Sequence, residues 1–427
     1  MNKTLDCKIN SAKVGKPNKL NFHTLAQFLK ASKQHNCSTI INFDLNSYKG
    51  TPVVFLSAHA QGPDFSYLCE TILPFYPCAV VGYLNIMSKS RYFLMGKLNV
   101  ISKKLYEPDY LAVTKIMRAI KDGRSILLFP EGIQSTSGSN QPINPTTIKL
   151  LKKLGVPVIS IHSCGAYLTL PRFATAPRIG KITYTYDLLF SAQQVKDYSA
   201  EKMYEMVKEK LKFNDFEYNK TARIKYIGKE PNAKGVTKIL YKCPCCGEEF
   251  TLSEYGENVK CSNCGYGVNI NEYYDLTPLK PNDFVFNDID KWYKWQRKEV
   301  RKEVLQENFL MSTPCILKTS DKYRLHTKPL HKVGEGEITL NHSGFYYKGT
   351  KDGQPFQFFC EISAIPSAPF GPGVDFDIYY EDEYYCIEPN QNKIQVVKWM
   401  LACEELHNLI DEKWEKVSDD VYAYSAE

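Results

Sequence analysis

The chain has no long apolar run. Its most hydrophobic stretches, Pro52 to Ala60 and Ile72 to Leu84, are broken by proline or polar residues and fall short of the roughly 20 residues that span a bilayer. A membrane would therefore be met from its surface. The first ten residues lack the apolar core of a secretory signal, which points to a cytoplasmic address. No internal repeat and no low-complexity tract is present, so neither a solenoid nor a biased linker is expected. A large excess of one charge is missing too: 54 Lys and Arg stand against 47 Asp and Glu, too small a surplus for a nucleic-acid coat but compatible with one basic face toward an anionic partner.

What is present is the composition of a packed globular chain, 43% hydrophobic and 24% charged. At 427 residues it exceeds what one core organises, so two or three domains are expected. Five of its 14 cysteines crowd between Cys243 and Cys264 while the rest are scattered, a pattern that reads as metal binding in a reducing compartment.

From Thr51 to Ile161 short apolar runs alternate with helical ones. Val53 to Ser57, Ser125 to Phe129 and Val156 to His162 read as buried strands, and Asp109 to Asp122, Thr146 to Leu154 and Ala200 to Lys212 as helices. That order predicts an α/β sheet with its active groups at strand ends. Turn residues in Ile227 to Val236 mark a boundary. The expected parts are residues 1–226, a cysteine module over 227–282, and residues 283–427. The last part opens with a helix over Asp288 to Gln306. Strands at Gly334 to Leu340, Gly344 to Lys348, Phe356 to Cys360, Asp375 to Tyr380 and Glu383 to Ile387 then precede a closing helix over Asn392 to Leu409, which suggests a small β-barrel-like module.

At the end of the first strand stands Ser57-Ala58-His59-Ala60-Gln61-Gly62-Pro63-Asp64, with four residues between the histidine and the aspartate. In a tight turn the carboxylate reaches back to the imidazole, fixes its tautomer and leaves the other nitrogen to take a proton. The same spacing also arises in ordinary turns. A second block, Leu127-Leu128-Phe129-Pro130-Glu131-Gly132, ends the next strand with a carboxylate and flexible backbone, and Gly155-Val156-Pro157-Val158 opens a third.

In this order and at these separations, over about Thr51 to Lys181, the three blocks resemble the glycerolipid and lysophospholipid acyltransferase family, of the 1-acyl-glycerol-3-phosphate acyltransferase kind. The resemblance implies a mixed sheet flanked by helices, His59 as general base, Asp64 as its orienting partner, and direct attack of an acceptor hydroxyl on an acyl thioester. It implies acceptor binding by Glu131 and Gly132, and phosphate contact by a basic residue, here Lys103 in Val100-Ile101-Ser102-Lys103 after Gly96. Lysine there lacks the bidentate fork of arginine. The family commonly carries an arginine after the glutamate and glycine, where this chain reads Ile133-Gln134-Ser135. Gln134 cannot neutralise charge, so either Lys97, Lys103, Lys104 or Arg124 compensates, or the acceptor is not a simple glycerol phosphate. Pro171-Arg172-Phe173 and Arg178 to Lys181 form a basic, aromatic stretch suited either to headgroups or an acidic donor, or to a solvated loop.

Cys243 with Cys246 and Cys261 with Cys264 form two knuckles, each with two residues between its cysteines, and fourteen residues separate the knuckles. Four thiolates so spaced suit tetrahedral zinc in a closed, structural site, with Cys245 a bystander; the module resembles a rubredoxin-type zinc ribbon. Glu248, Glu249, Glu254 and Glu257 make its face acidic and unsuited to nucleic acid. The tail resembles a pleckstrin-homology module in strand count and closing helix, with docking or packing as its role. The aromatic helix Lys291 to Lys302 suits either a membrane interface or core packing. The whole is expected to be a zinc-containing acyltransferase, peripheral on the inner face of the membrane. It would take an acyl chain from acyl-CoA or acyl carrier protein to a lysophospholipid; transfer to a non-phosphate lipid, or a non-enzymatic lipid-binding adaptor, are the alternatives.

Overall fold

The computed structural model describes residues 3–15, 18–24, 36–72, 75–92, 98–105, 109–281, 283–381 and 383–410. The chain divides into two compact units. One comprises Met1–Arg172, Ala176–Gly228 and Asp321–Pro329; the other comprises Phe173–Thr175, Lys229–Ser320 and Leu330–Glu427. The cysteine module and the C-terminal strands, read from the sequence as separate parts, lie in one unit.

The first unit is built on a seven-stranded mixed sheet. Its strands are β1 (Asn36–Ile41), β2 (Val54–Ser57), β3 (Cys78–Gly82), β4 (Ile101–Lys103), β5 (Ile126–Leu128), β6 (Val158–Cys164) and β7 (Lys181–Phe190). Across the sheet they run β1-β7-β6-β2-β5-β3-β4. β2 lies at the centre, parallel to both β5 and β6, with Val54, Phe55 and Leu56 fully buried. Such an uninterrupted apolar run fits a strand covered on both faces. β7 pairs antiparallel with β6 and carries β1 parallel on its outer side. Helices α1 (Asp64–Thr71), α2 (Tyr110–Lys121), α3 (Thr146–Leu154), α4 (Ala200–Leu211) and α5 (Asp215–Ala222) flank these strands in sequence. Asp109 caps α2 by accepting from the Ala112 N–H, and Gly155 ends α3 in the left-handed conformation that only glycine adopts without strain.

In the second unit, β8 (Leu252–Tyr255), β9 (Asn258–Cys261), β10 (Gly267–Ile270) and β11 (Leu276–Pro278) form an antiparallel ribbon in chain order. Helix α6 (Ile289–Val304) follows. Its aromatic face is core: Trp292 is fully buried and Tyr293 nearly so. Then come β12 (Met311–Thr319), β13 (His331–Asn341), β14 (Gly344–Lys351), β15 (Gln354–Glu361), β16 (Phe370–Gly371), β17 (Asp375–Tyr380) and β18 (Glu383–Pro389). They make one antiparallel sheet, ordered β15-β14-β13-β12-β18-β17-β16. The closing helix α7 (Val396–Ile410) stacks Trp399 on Phe376 at 5.3 Å and on Phe345 at 6.2 Å. No helix among the described residues is long and apolar enough to cross a membrane.

Candidate active site

Register brings the two sequence blocks together. Leu56 of β2 pairs with Leu128 of parallel β5, so His59 and Glu131, each three residues further along, emerge at the same level of the sheet's carboxyl edge. After β2 the chain turns through Gly62 and Pro63 into α1, whose first residue is Asp64. That turn folds the carboxylate back: Asp64 Oδ2 lies 3.1 Å from His59 Nδ1 and accepts the Gln61 N–H at 3.0 Å. A carboxylate at Nδ1 selects the tautomer with its proton there, so Nε2 is the basic nitrogen. The imidazole stacks on Phe129, ring centres 4.6 Å apart, and its side chain keeps 22% exposure while Asp64 is buried. Burial pushes the Asp64 carboxyl above its usual range, against the opposing pull of the His59 hydrogen bond and charge.

Glu131 is buried and works on backbone. Its Oε2 accepts the His59 N–H at 3.1 Å and its Oε1 accepts from Asn140 Nδ2 at 2.8 Å. Desolvation raises its pKa to about 8, despite these hydrogen bonds. Ser135 donates its N–H to the His59 carbonyl at 2.8 Å, so the loop after β5 grips the histidine backbone from both sides. Gly132 stands at φ 75°, in open space, so glycine is needed there for backbone conformation and not for room. Asn140 also donates to the Leu211 carbonyl and accepts the Phe213 N–H, tying this loop to the end of α4. Nothing in the sequence marks Asn140, because two of its three partners, Leu211 and Phe213, lie about seventy positions away in the chain.

Gln134 does not stand alone. Arg172 Nη1 donates to its Oε1 at 2.7 Å. Gln61 is fully buried; its Oε1 accepts from Thr169, and its Nε2 has no partner among the described residues. Asp215 is also buried, accepts the Gly165 and Tyr167 N–H groups, and is raised by burial to about 7. Tyr167 in turn donates to the Thr136 carbonyl. Lys103 ends β4 opposite Gly82, and its Nζ donates to the Lys104 carbonyl. β4 stands three strands from β2, on the order of 14 Å across the sheet. Arg124 is buried and donates to the Gly15 and Tyr76 carbonyls, which makes it a structural cation. Gly96 and Lys97 lie outside the described residues. A groove of about 700 Å³, lined by His162, Asp187, Met206 and Lys210 among others, lies on the β6 and β7 strands beside α4 and includes neither His59 nor Glu131.

In the second unit the four expected cysteines converge. Their sulfurs all lie within 4.8 Å of one another, with Cys243 to Cys264 at 3.7 Å and Cys246 to Cys261 at 3.8 Å. A tetrahedron of thiolates at a zinc–sulfur distance of roughly 2.3 Å has edges of about 3.8 Å, so this donor set fits a metal ion of that kind. The knuckles repeat one backbone pattern. Gly247 and Gly265, both at positive φ, donate to the Cys243 and Cys261 carbonyls, while those cysteines donate to Glu248 and Tyr266. Cys245 is exposed and outside the cluster. Helix α6 braces the approach: Gln296 Oε1 accepts the Tyr241 and Lys242 N–H groups, its Nε2 donates to the Ile239 carbonyl, and Trp292 Nε1 donates to the Lys242 carbonyl.

No family model matches the chain, and no curated protein matches it. Among solved structures it is similar to the crystal structure of the 1-acyl-sn-glycerophosphate (LPA) acyltransferase, PlsC, from Thermotoga maritima. The TM-score is 0.38 and the identity 17%, over 44% of this chain and 75% of that one.

Proposed function

We propose that the first unit is an O-acyltransferase that moves a fatty acyl chain from a thioester, acyl-CoA or acyl carrier protein, to the hydroxyl of a lysophospholipid, with 1-acyl-glycerol-3-phosphate the favoured acceptor. The observation that carries this reading is the His59–Asp64 pair at the sheet edge, with Nδ1 engaged at 3.1 Å and Nε2 left as the base. The family likeness of the blocks around His59, Glu131 and Val156 supports the choice of reaction.

In this scheme Nε2 takes the proton of the acceptor hydroxyl as its oxygen attacks the thioester carbonyl. The carbon–oxygen bond forms, the carbon–sulfur bond breaks, and the imidazolium returns the proton to the departing thiolate. Asp64 stabilises the imidazolium between these steps. Glu131 contributes by holding the His59 backbone, and Gly132 by giving the loop its turn. No cysteine serves as nucleophile.

The protein works in this scheme as a peripheral enzyme on the inner, cytoplasmic face of a membrane. The four thiolates of Cys243, Cys246, Cys261 and Cys264 hold zinc. With every coordination position filled by sulfur, such an ion supplies folding energy and no catalysis. The C-terminal sheet and helix serve as a docking or bracing module.

The test is turnover. Purified protein is given labelled acyl thioester and a panel of lysolipids and neutral glycerides. Acylated product is expected from the wild type, and His59→Ala is expected to lose about 100- to 10,000-fold in rate with folding and metal content unchanged. An alanine variant as active as the wild type would remove His59 from the chemistry, and bound lipid without turnover would favour an adaptor.

A further inference from the structure

We infer that metal occupancy of the four-thiolate site is transmitted to the closing helix α7 through a four-charge clasp, so that the site is a metal-responsive control on the C-terminal sheet module. The inference rests on the reading of those thiolates as a metal site and is independent of the acyltransferase chemistry.

The clasp flanks the first knuckle. Lys242 stands one residue before Cys243 and Glu249 three residues after Cys246. The two face each other across an antiparallel bridge, with Lys242 Nζ 3.3 Å from Glu249 Oε1. One charged residue from each of two helices completes the set. Lys398 of α7 lies 2.9 and 2.8 Å from the two carboxylate oxygens of Glu249 and 2.7 Å from Glu303 of α6, and Glu303 is 3.5 Å from Lys242. Two cations and two carboxylates thus alternate around a ring. The Lys242 and Lys398 side chains keep only 14% exposure, so water and salt screen this ring less than they screen a surface pair.

The two arms of the knuckle are held differently. Helix α6 fixes the incoming arm, because Gln296 and Trp292 hydrogen-bond to the backbone of Ile239, Tyr241 and Lys242. The outgoing arm, residues 248–250, is tied back to the incoming one: its Glu248 carbonyl accepts the Cys243 N–H, and its Phe250 N–H donates to the Tyr241 carbonyl. Phe250 stands at φ 60°, a left-handed conformation that is costly for a bulky side chain, with its ring stacked on Tyr241 at 5.2 Å. A strained backbone persists only where its surroundings over-determine it, and ligation of Cys246 beside Cys243 closes the loop that carries it. Glu249 rides on this strained arm. Loss of metal therefore loosens Glu249 and leaves Lys398 with Glu303 alone. The next residue of α7, Trp399, is fully buried and stacks on Phe376 and Phe345, so a change at Lys398 is felt where the helix covers the sheet.

Such coupling is reciprocal: whatever metal does to hold α7, α7 does to hold metal. Zinc affinity of the full chain, measured by chelator competition, is compared among wild type, Lys398→Met, Glu249→Gln and the double variant, with Met400→Leu as a packing control one turn face away from the clasp. Although Lys398 belongs to α7 and not to the thiolate set, its loss is expected to weaken zinc binding about 10-fold. Glu249→Gln is expected to do the same, and the double variant to be little worse than either, because the two act through one contact. Met400→Leu is expected to leave affinity unchanged. In the other direction, chelation is expected to speed amide hydrogen exchange in α7 of the wild type by a similar factor, and much less in Lys398→Met. Bound zinc with equal affinity in wild type and Lys398→Met would overturn the clasp while sparing the metal site. Equal weakening by Met400→Leu, or fully additive effects of the two charge variants, would overturn it as well, since general loosening would then explain the loss. A chain that binds no zinc would overturn the metal reading and this inference together.

Discussion

The backbone N–H of His59 donates to Oε2 of Glu131 over 3.1 Å, joining residues 72 positions apart. Through this bond, and the Ser135 N–H on the His59 carbonyl, the loop after β5 sets the height of the imidazole, while Asp64 sets its rotation. In the proposed reaction Glu131 acts by positioning the base, which gives its substitution a different signature from that of Asp64.

Asp64→Asn preserves size and an oxygen at Nδ1 but removes the charge that stabilises an imidazolium. Turnover is expected to fall by about 100-fold or more with little change in acceptor KM. Steady-state kinetics beside a far-ultraviolet circular dichroism spectrum check this. A folded variant with wild-type kcat would take Asp64 out of the mechanism.

Glu131 makes stability depend on pH in a defined direction. Folded, it keeps its proton up to about pH 8, whereas the unfolded chain releases it near the ordinary value of 4.5. The folded state therefore binds the extra proton between those values, and its stability falls as pH rises through that window. Glu131→Gln loses this slope and sets an amide N–H₂ against one of two donors, the His59 N–H or Asn140. Denaturant titrations at several pH values from about 5 to 8 are expected to show the variant less stable at the acid end, with the gap closing toward the alkaline end. A gap that widens with pH would contradict the burial argument.

Serine in place of Cys243, Cys246, Cys261 or Cys264 is expected to abolish bound metal, measured by atomic absorption, whereas Cys245→Ser leaves it unchanged. Structural zinc in small modules contributes about 10 to 16 kcal/mol, enough to decide whether such a ribbon folds. Trp292 packs edge-on against Tyr266 at 6.0 Å, next to the second knuckle, so chelation is also expected to shift tryptophan fluorescence. Metal retained after loss of one cysteine would reject the four-thiolate site.

Gln296 is fully buried, and three backbone groups of Ile239, Tyr241 and Lys242 depend on it. Gln296→Ala leaves two N–H groups and a carbonyl unpaired, at a cost of about 2 to 4 kcal/mol in denaturant unfolding. Gln296→Glu, which keeps the acceptor but not the donor, is expected to lose less. Equal stability of the alanine variant would mean that other groups or water replace the amide.

Local pattern revealed what is written locally. The buried strand before His59 shows as an apolar run, α3 as a periodic segment ending in glycine, and the knuckles as paired cysteines. Each of these is decided by neighbours within a few residues. The strands Asn36–Ile41 and Lys181–Phe190 were not expected. The first is largely exposed at a sheet edge and the second mixes buried with half-exposed positions, so neither carries a clean apolar signal. The aromatic helix before the C-terminal sheet read as core more readily than as interface, and its packing agrees with the core reading.

The order of residues alone established the residue types at the site, the spacing of His59 from Asp64, and the grouping of the thiols, since a turn or a knuckle closes over a handful of bonds. Tertiary structure decided that Glu131 grips the His59 backbone, that Asn140 anchors its loop, and that Arg172 meets Gln134. Those contacts join segments distant in the chain, and they exist only because parallel β2, β5 and β6 deliver their carboxyl ends to one edge.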